Sequence, residues 1–272
     1  MQTTYYYELA PFEVKFTGNL TMTSNDDSNV IKQLVSRILK GVIFDFDGTI
    51  LDIKNAMEKA IEEIFAENKV AFDNEKTVQE IGALLETLQG YPLPRIILNS
   101  YEMFKYITSF KDIPYVKKIL VSTNVFAKYL EYARDAPLIP GIRELLDTLK
   151  NKLGCDLYIV SHNKKENILF HLNKSGIMSY FKGVFGTDEL PSLKPDPIAL
   201  EPAIKDYPIS VKRNEFLLIG DMPTDIEAGR DAGFLTIAIS SGISNKEMLK
   251  KSRPSLIIDS IVELNDLINK VR

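Results

Sequence analysis

A doubly wound parallel α/β sheet carrying a helical insertion and an N-terminal extension is the fold that this sequence predicts, and three observations carry the prediction. The first is a series of short apolar runs at residues 157–160, 184–185, 216–219, 235–239 and 256–258, alternating with segments of helical period. These runs are continuous, as in strands covered by helices on both faces, and ligands in such sheets bind beyond the carboxyl ends of the strands. The second is one more run of this kind, residues 42–44, placed more than a hundred residues upstream of the others. The third is the stretch between them. From Asn55 to about Asp135 there is only helical periodicity, as in Ala56, Ala60, Ile61, Ile64 and Phe65 and again in Val78, Ile81, Leu84, Leu85 and Leu88.

Taken in order, residues 1–38 form an extension. Phe12, Val14 and Phe16 alternate with Glu13 and Lys15 as in a half-buried strand, and Gly18-Asn19 provides a turn into Leu20. The polar cluster 24–29 caps a helix whose apolar face runs through Val30, Leu34, Ile38 and Leu39. The extension has two readings: a segment packed on the core, or a self-association arm that would make the protein a homodimer. The core then comprises 39–51 and 138–272, and the helical insert spans 52–137. The core resumes at Pro140-Gly141, where Ile142, Leu145, Leu146 and Leu149 form a helix feeding the second strand.

Composition narrows the function. With 272 residues and 45% apolar content, the chain can bury a large core. A net charge of −4 from 33 basic and 37 acidic residues offers no field for nucleic acid, and no run reaches the roughly 18 apolar residues that span a membrane. Cys155 is the single cysteine, so no intramolecular disulfide exists; the N-terminus lacks the basic and apolar regions of a signal peptide. A cytoplasmic protein is expected.

The first apolar run ends in Asp45-Phe46-Asp47-Gly48-Thr49, two carboxylates one residue apart followed by a tight polar turn of the sort a phosphate needs. Three further motifs follow: residues 157–160 ending in Ser161; Lys194 within Ser192-Leu193-Lys194-Pro195-Asp196-Pro197; and residues 216–219 followed by Gly220-Asp221-Met222-Pro223-Thr224-Asp225. Together, and in this order, they resemble the four motifs of the haloacid dehalogenase-like phosphohydrolases, in the branch that includes phosphoglycolate phosphatase-like and β-phosphoglucomutase-like members.

The resemblance implies that Asp45 is the nucleophile, forming an aspartyl-phosphate, and that Asp47 is the general acid and base. It implies that Gly48, Thr49, Ser161, His162, Asn163 and Lys194 surround the phosphate. Four carboxylates facing one lysine require a cation, and hard oxygen ligands favour Mg²⁺, held by Asp45, the Asp47 carbonyl, Asp221 and Asp225. With two histidines and one cysteine, zinc is disfavoured. The family's cap is inserted where the helical insert begins, and Gly90-Tyr91-Pro92-Leu93 resembles its substrate-facing loop, which nominates Tyr91 and the nearby Arg95 as specificity residues. Asp47 argues for a phosphate ester or anhydride, and an enclosing cap for a small phosphorylated metabolite. A sugar phosphomutase shares the motifs, and a silent binding protein of the same fold is the reading from another class.

Overall fold

The structure, a computed structural model, describes residues 25–36, 38–73, 76–78, 80–81 and 107–271. The hairpin expected before Leu20 and the specificity candidates Tyr91 and Arg95 lie outside these residues. Within them, six strands form one parallel sheet in the order β3-β2-β1-β4-β5-β6: β1 (Gly41–Phe44), β2 (Asp156–Val160), β3 (Phe181–Phe185), β4 (Phe216–Gly220), β5 (Leu235–Ile239) and β6 (Leu256–Ile258). The chain thus runs outward from β1 on one side and then returns to build β4 on the other. That reversal opens a crevice at the carboxyl end of β1, where an open sheet of this kind binds its ligand.

The central strands explain the continuous apolar runs. Every residue of β1 and β4 is buried, whereas the edge strand β3 buries only Phe181 and Val184 and leaves Lys182 exposed. Phe44 lies level with Ile159 of β2 and Ile219 of β4, and the Asp45 N–H donates to the Ile219 carbonyl at 2.9 Å. The ends of three strands are therefore held in register immediately before Asp45, Ser161 and Asp221.

The helix of the extension, α1 (Asn25–Val35), packs on the C-terminal helix, Ile261–Val271, and on β6, and buries Val30, Ile31 and Leu34. It stops short of the predicted end. Ile38 is 49% exposed, and Leu39 is buried on an extended path, because the Lys40 N–H donates to the Glu215 carbonyl at 2.8 Å and draws the chain into the sheet.

The insert between β1 and β2 contains α2 (Lys54–Glu67) and α3 (Tyr115–Ala133), which pack along each other. Ala56, Met57, Ala60, Ile61, Ile64 and Phe65 recur at helical spacing on the buried face of α2; Val121, Val125, Tyr129 and Ala133 recur every four residues on that of α3. Lys128 pairs with Glu63 at 3.0 Å across the rim, and the Tyr132 hydroxyl donates to the same carboxylate. The segments entering and leaving the insert are zipped together: Asp52 N–H to Pro137 carbonyl at 2.8 Å, Ile139 N–H to Ile50 carbonyl at 2.9 Å, and an antiparallel bridge between Leu51 and Leu138. Among the described residues no helix is long and apolar enough to cross a membrane. After the insert, α4 (Ile142–Asp147) continues as a wider turn through Thr148–Lys152 into β2.

Leu34 is fully buried between α1 and the core. Leu34→Ala should lower unfolding stability by about 2–5 kcal/mol in urea titrations, the usual loss for a buried leucine; an unchanged midpoint would mean that α1 does not pack on the core in solution.

Candidate active site

The local sequence builds the site from turns at strand ends. After β1 the chain leaves the sheet through Asp45, Phe46 and Asp47. It then reverses at Gly48, whose φ of +82° is one that side chains resist and whose N–H donates to the Leu51 carbonyl at 2.9 Å. A Cβ at this position would stand 2.2 Å from the Asp221 Oδ2, so glycine is also needed for the nucleophile loop to approach β4. The next residue closes the contact: the buried Thr49 hydroxyl donates to Asp221 Oδ1 at 3.2 Å. Asp221 Oδ2 accepts the Ile243 N–H at 2.8 Å from the loop after β5. Both oxygens of this fully buried carboxylate are thereby oriented.

Lys194 reaches the same point from the loop after β3. Its ammonium donates to Asp45 Oδ1 at 2.7 Å, to Asp225 Oδ1 at 2.5 Å and to the Val160 carbonyl at 3.1 Å. The loop that delivers it is fixed by Asp196, which accepts the Ser192 hydroxyl at 2.8 Å and caps the following turn at the Ile198 N–H, 2.9 Å away. Asp225, in the first turn of the helix Pro223–Asp231, also accepts the Met222 N–H through its second oxygen at 3.1 Å. A buried ammonium needs such compensation, and here it meets two carboxylates and a carbonyl.

On the β2 side, Ser161 is buried and its Oγ accepts the Asn163 N–H at 3.1 Å, which leaves the hydroxyl hydrogen to be donated elsewhere. The Asn163 side-chain amide donates to Asp47 Oδ2 at 2.9 Å. His162 lies between them in sequence and is buried. Three hydrogen-bonded groups thus form at the strand ends, Lys194 with Asp45 and Asp225, Ser161 and Asn163 with Asp47, and Thr49 and Ile243 with Asp221, and oxygens of Asp45, Asp221 and Asp225 come within 4.8 Å of one another. Gly48 joins the last of these groups through its close approach to Asp221. Thr49 spends its hydroxyl on that carboxylate.

Burial dominates the electrostatics. It pushes the Asp45 carboxyl from 3.8 up to about 7, with repulsion from Asp225 and Asp47 adding to the rise and Lys194 opposing it. Asp47 is pushed from 3.8 to about 6 by burial, against the hydrogen bond from Asn163 and the charge of Lys194. The one ammonium does not offset the effect of burial at Asp45 and Asp47. Asp45, Asp221 and Asp225 each offer an oxygen within 4.8 Å of one another, a purely oxygen donor set that fits a hard divalent cation.

Ile243 is the residue of this site that sequence reading overlooks. It contributes a main-chain N–H, which any residue supplies, and the only signal is Gly242 after the apolar run of β5, where a Cβ would lie 2.2 Å from Asp221 Oδ2.

Comparisons with known proteins agree with this architecture. A phosphoglycolate phosphatase of Vibrio parahaemolyticus is 26% identical over 235 residues, covering 85% of this chain and 96% of that protein. The solved structure of a predicted phosphoglycolate phosphatase from Haemophilus somnus superposes with a TM-score of 0.61 at 19% identity, over 85% of this chain and 98% of that one. YfnB of Bacillus subtilis, in a structure bound to magnesium, gives a TM-score of 0.59 at 21% identity, over 85% and 99% of the two chains. The profile of the haloacid dehalogenase-like hydrolases matches residues 42–239, which spans all four motif strands and the insert; with the crevice they enclose, this chain belongs to that family.

Proposed function

We propose that the protein is a Mg²⁺-dependent phosphatase that hydrolyses the phosphate ester of a small metabolite, by way of a phosphoryl group carried on Asp45. The observation that carries this reading is the convergence of Asp45, Asp221, Asp225 and Lys194 at the end of β1, with Asp47 beside them. Residues 52–137 act as a cap on a core formed by 39–51 and 138–272, and the substrate is enclosed between them. Phosphoglycolate is the first substrate to test, because curated relatives over most of this chain are phosphoglycolate phosphatases.

The residues divide the work by position. Lys194 holds one oxygen of Asp45, so the carboxylate presents its other oxygen to phosphorus along a fixed line. The Ser161 hydroxyl, with its oxygen already accepting from Asn163, donates to a phosphoryl oxygen. Asp47 carries a raised pKa and is held by Asn163 through one oxygen only; it enters protonated and gives its proton to the leaving oxygen as the P–O bond breaks. The same carboxylate then takes a proton from the water that attacks phosphorus, which frees inorganic phosphate and restores Asp45. The carboxylates of Asp45, Asp221 and Asp225 and the Asp47 carbonyl would hold the cation, which supplies charge neutralisation for the carboxylates and the phosphate dianion.

Asp45→Asn should lower Mg²⁺-dependent phosphate release from a panel of small phosphate esters by at least about a thousandfold, and Asp47→Asn by about a hundred- to ten-thousandfold. Retention of activity in Asp45→Asn would overturn the nucleophile assignment.

A second expectation follows from the raised carboxyls. A carboxyl whose pKa is higher in the fold than in the unfolded chain stabilises the fold fully below the unfolded value of 3.8, and that contribution is lost as pH rises through about 6 to 7. Protons and the cation compete for the same oxygens, so the rise in Tm produced by Mg²⁺ should be larger at pH 8 than at pH 5. An equal or smaller rise at pH 8 would contradict a cation on these carboxylates.

A further inference from the structure

Asn163 links the loop after β2 to the nucleophile loop, and its main chain and both ends of its side-chain amide are engaged. Its Nδ2 donates to Asp47 Oδ2 at 2.9 Å, while its Oδ1 accepts two donors at the start of the helix Lys165–Lys174, the Lys164 N–H at 2.8 Å and the Asn167 Nδ2 at 3.1 Å. A main-chain N–H can only donate, so Lys164 settles which end of the amide is oxygen and turns Nδ2 to Asp47. The main chain is held as well. The Asn163 N–H donates to Ser161 Oγ at 3.1 Å, and its carbonyl accepts the Thr187 N–H at 2.9 Å from the loop after β3. That loop comes so close because residue 186 is glycine: a Cβ there would lie 2.2 Å from the Lys165 nitrogen and 2.8 Å from the Asn163 carbonyl oxygen. Asp188 Oδ1 in turn accepts the Lys165 N–H at 3.0 Å, which caps the helix from a separate loop.

We infer that Asn163, with Asn167 behind it, is the positioning residue of Asp47, and that the two amides fix which carboxyl oxygen carries the proton given to the leaving group. This assignment rests on the phosphohydrolase reading and deepens it. Asp47 Oδ2 accepts from Asn163, and an amide nitrogen offers no lone pair in return, so a proton on Oδ2 would face an N–H. The proton is thereby confined to Oδ1, which makes no hydrogen bond among the described residues. As the bond from phosphorus to the ester oxygen breaks, its electron pair stays on that oxygen and the Oδ1 proton moves to it. Asp47 is left as a carboxylate, and the hydrogen bond from Asn163 becomes a charge-assisted one. The contact is stronger after proton transfer than before it, which is the condition for an interaction to lower the barrier. A leaving group that departs without a proton gains little from it.

The test compares Asn163→Ala and Asn167→Ala with the native protein, in Mg²⁺, on p-nitrophenyl phosphate and 2-phosphoglycolate. The nitrophenolate leaves without a proton, whereas the alkoxide of the second ester needs one; the fastest alkyl phosphate of the panel replaces 2-phosphoglycolate if that ester is not turned over. In Asn163→Ala, kcat/KM should fall about tenfold more for the alkyl ester than for p-nitrophenyl phosphate, the size of one hydrogen bond to a charged group. Asn167 is exposed, so its replacement leaves the fold intact, and the same bias should appear there at about threefold with an unchanged Tm. Equal falls on both esters in Asn163→Ala, or no fall on either, would overturn the assignment, and a bias in Asn163→Ala without one in Asn167→Ala would overturn the part given to Asn167. Calorimetric titration with inorganic phosphate separates positioning from a direct contact with the phosphate: a Kd in Asn163→Ala within about twofold of the native value supports positioning, and one weaker by about tenfold overturns it. If the native protein is active, Asp45→Asn is not, and the bias is missing, the positioning assignment alone fails. If the native protein hydrolyses no ester, the phosphohydrolase reading fails and the assignment falls with it.

Discussion

The ammonium of Lys194, seated between Asp45, Asp225 and the Val160 carbonyl, is the contact on which the rest of the site depends. It ties together the ends of β1, β2 and β4 at the point where the sheet reverses direction, and it is fully buried there. A charge in such a place is tolerated only when its partners are arranged around it. The arrangement is supplied from several directions: Asp196 fixes the loop that carries the lysine, the Met222 N–H holds the far oxygen of Asp225, and register with β4 fixes Asp45. The excess of carboxylate over ammonium is a consequence of the same geometry. Burial keeps Asp45 and Asp47 above their ordinary range, and the excess of carboxylate makes the crevice receptive to a divalent cation.

The placement of the insert adds a second constraint. Its two connecting segments are paired directly beyond the nucleophile loop, so any movement of α2 and α3 is transmitted at Leu51 and Leu138. On the function proposed above, the chemistry at phosphorus sits at the strand ends, and the insert beside them is the part that would choose among substrates. This division explains how one set of motifs serves many substrates in folds of this kind.

Much of this was legible in the sequence, for identifiable physical reasons. β1 and β4 are buried on both faces, so they read as unbroken apolar runs, and carboxylates at their ends stand out because burial makes them costly. The six strands and the insert follow from the alternation of runs and helical periods, whereas the strand order does not. Other features left no such trace. Ile243 contributes through its main chain, to which residue type is blind. Leu39 fits the apolar stripe of α1 and yet belongs to the path into β1, because the hydrogen bond from Lys40 to Glu215 outweighs one more turn of helix. The Thr49 hydroxyl donates to Asp221, a direction that sequence spacing does not encode.

The central claim is that a phosphoryl group passes through Asp45, and it is most directly tested by quenching the protein in acid during turnover of a radiolabelled phosphate ester and mapping the label. The account predicts an acid-stable, hydroxylamine-sensitive label on the peptide containing Asp45. Label on another residue, or none in a protein that is turning over substrate with a burst of product, would contradict it.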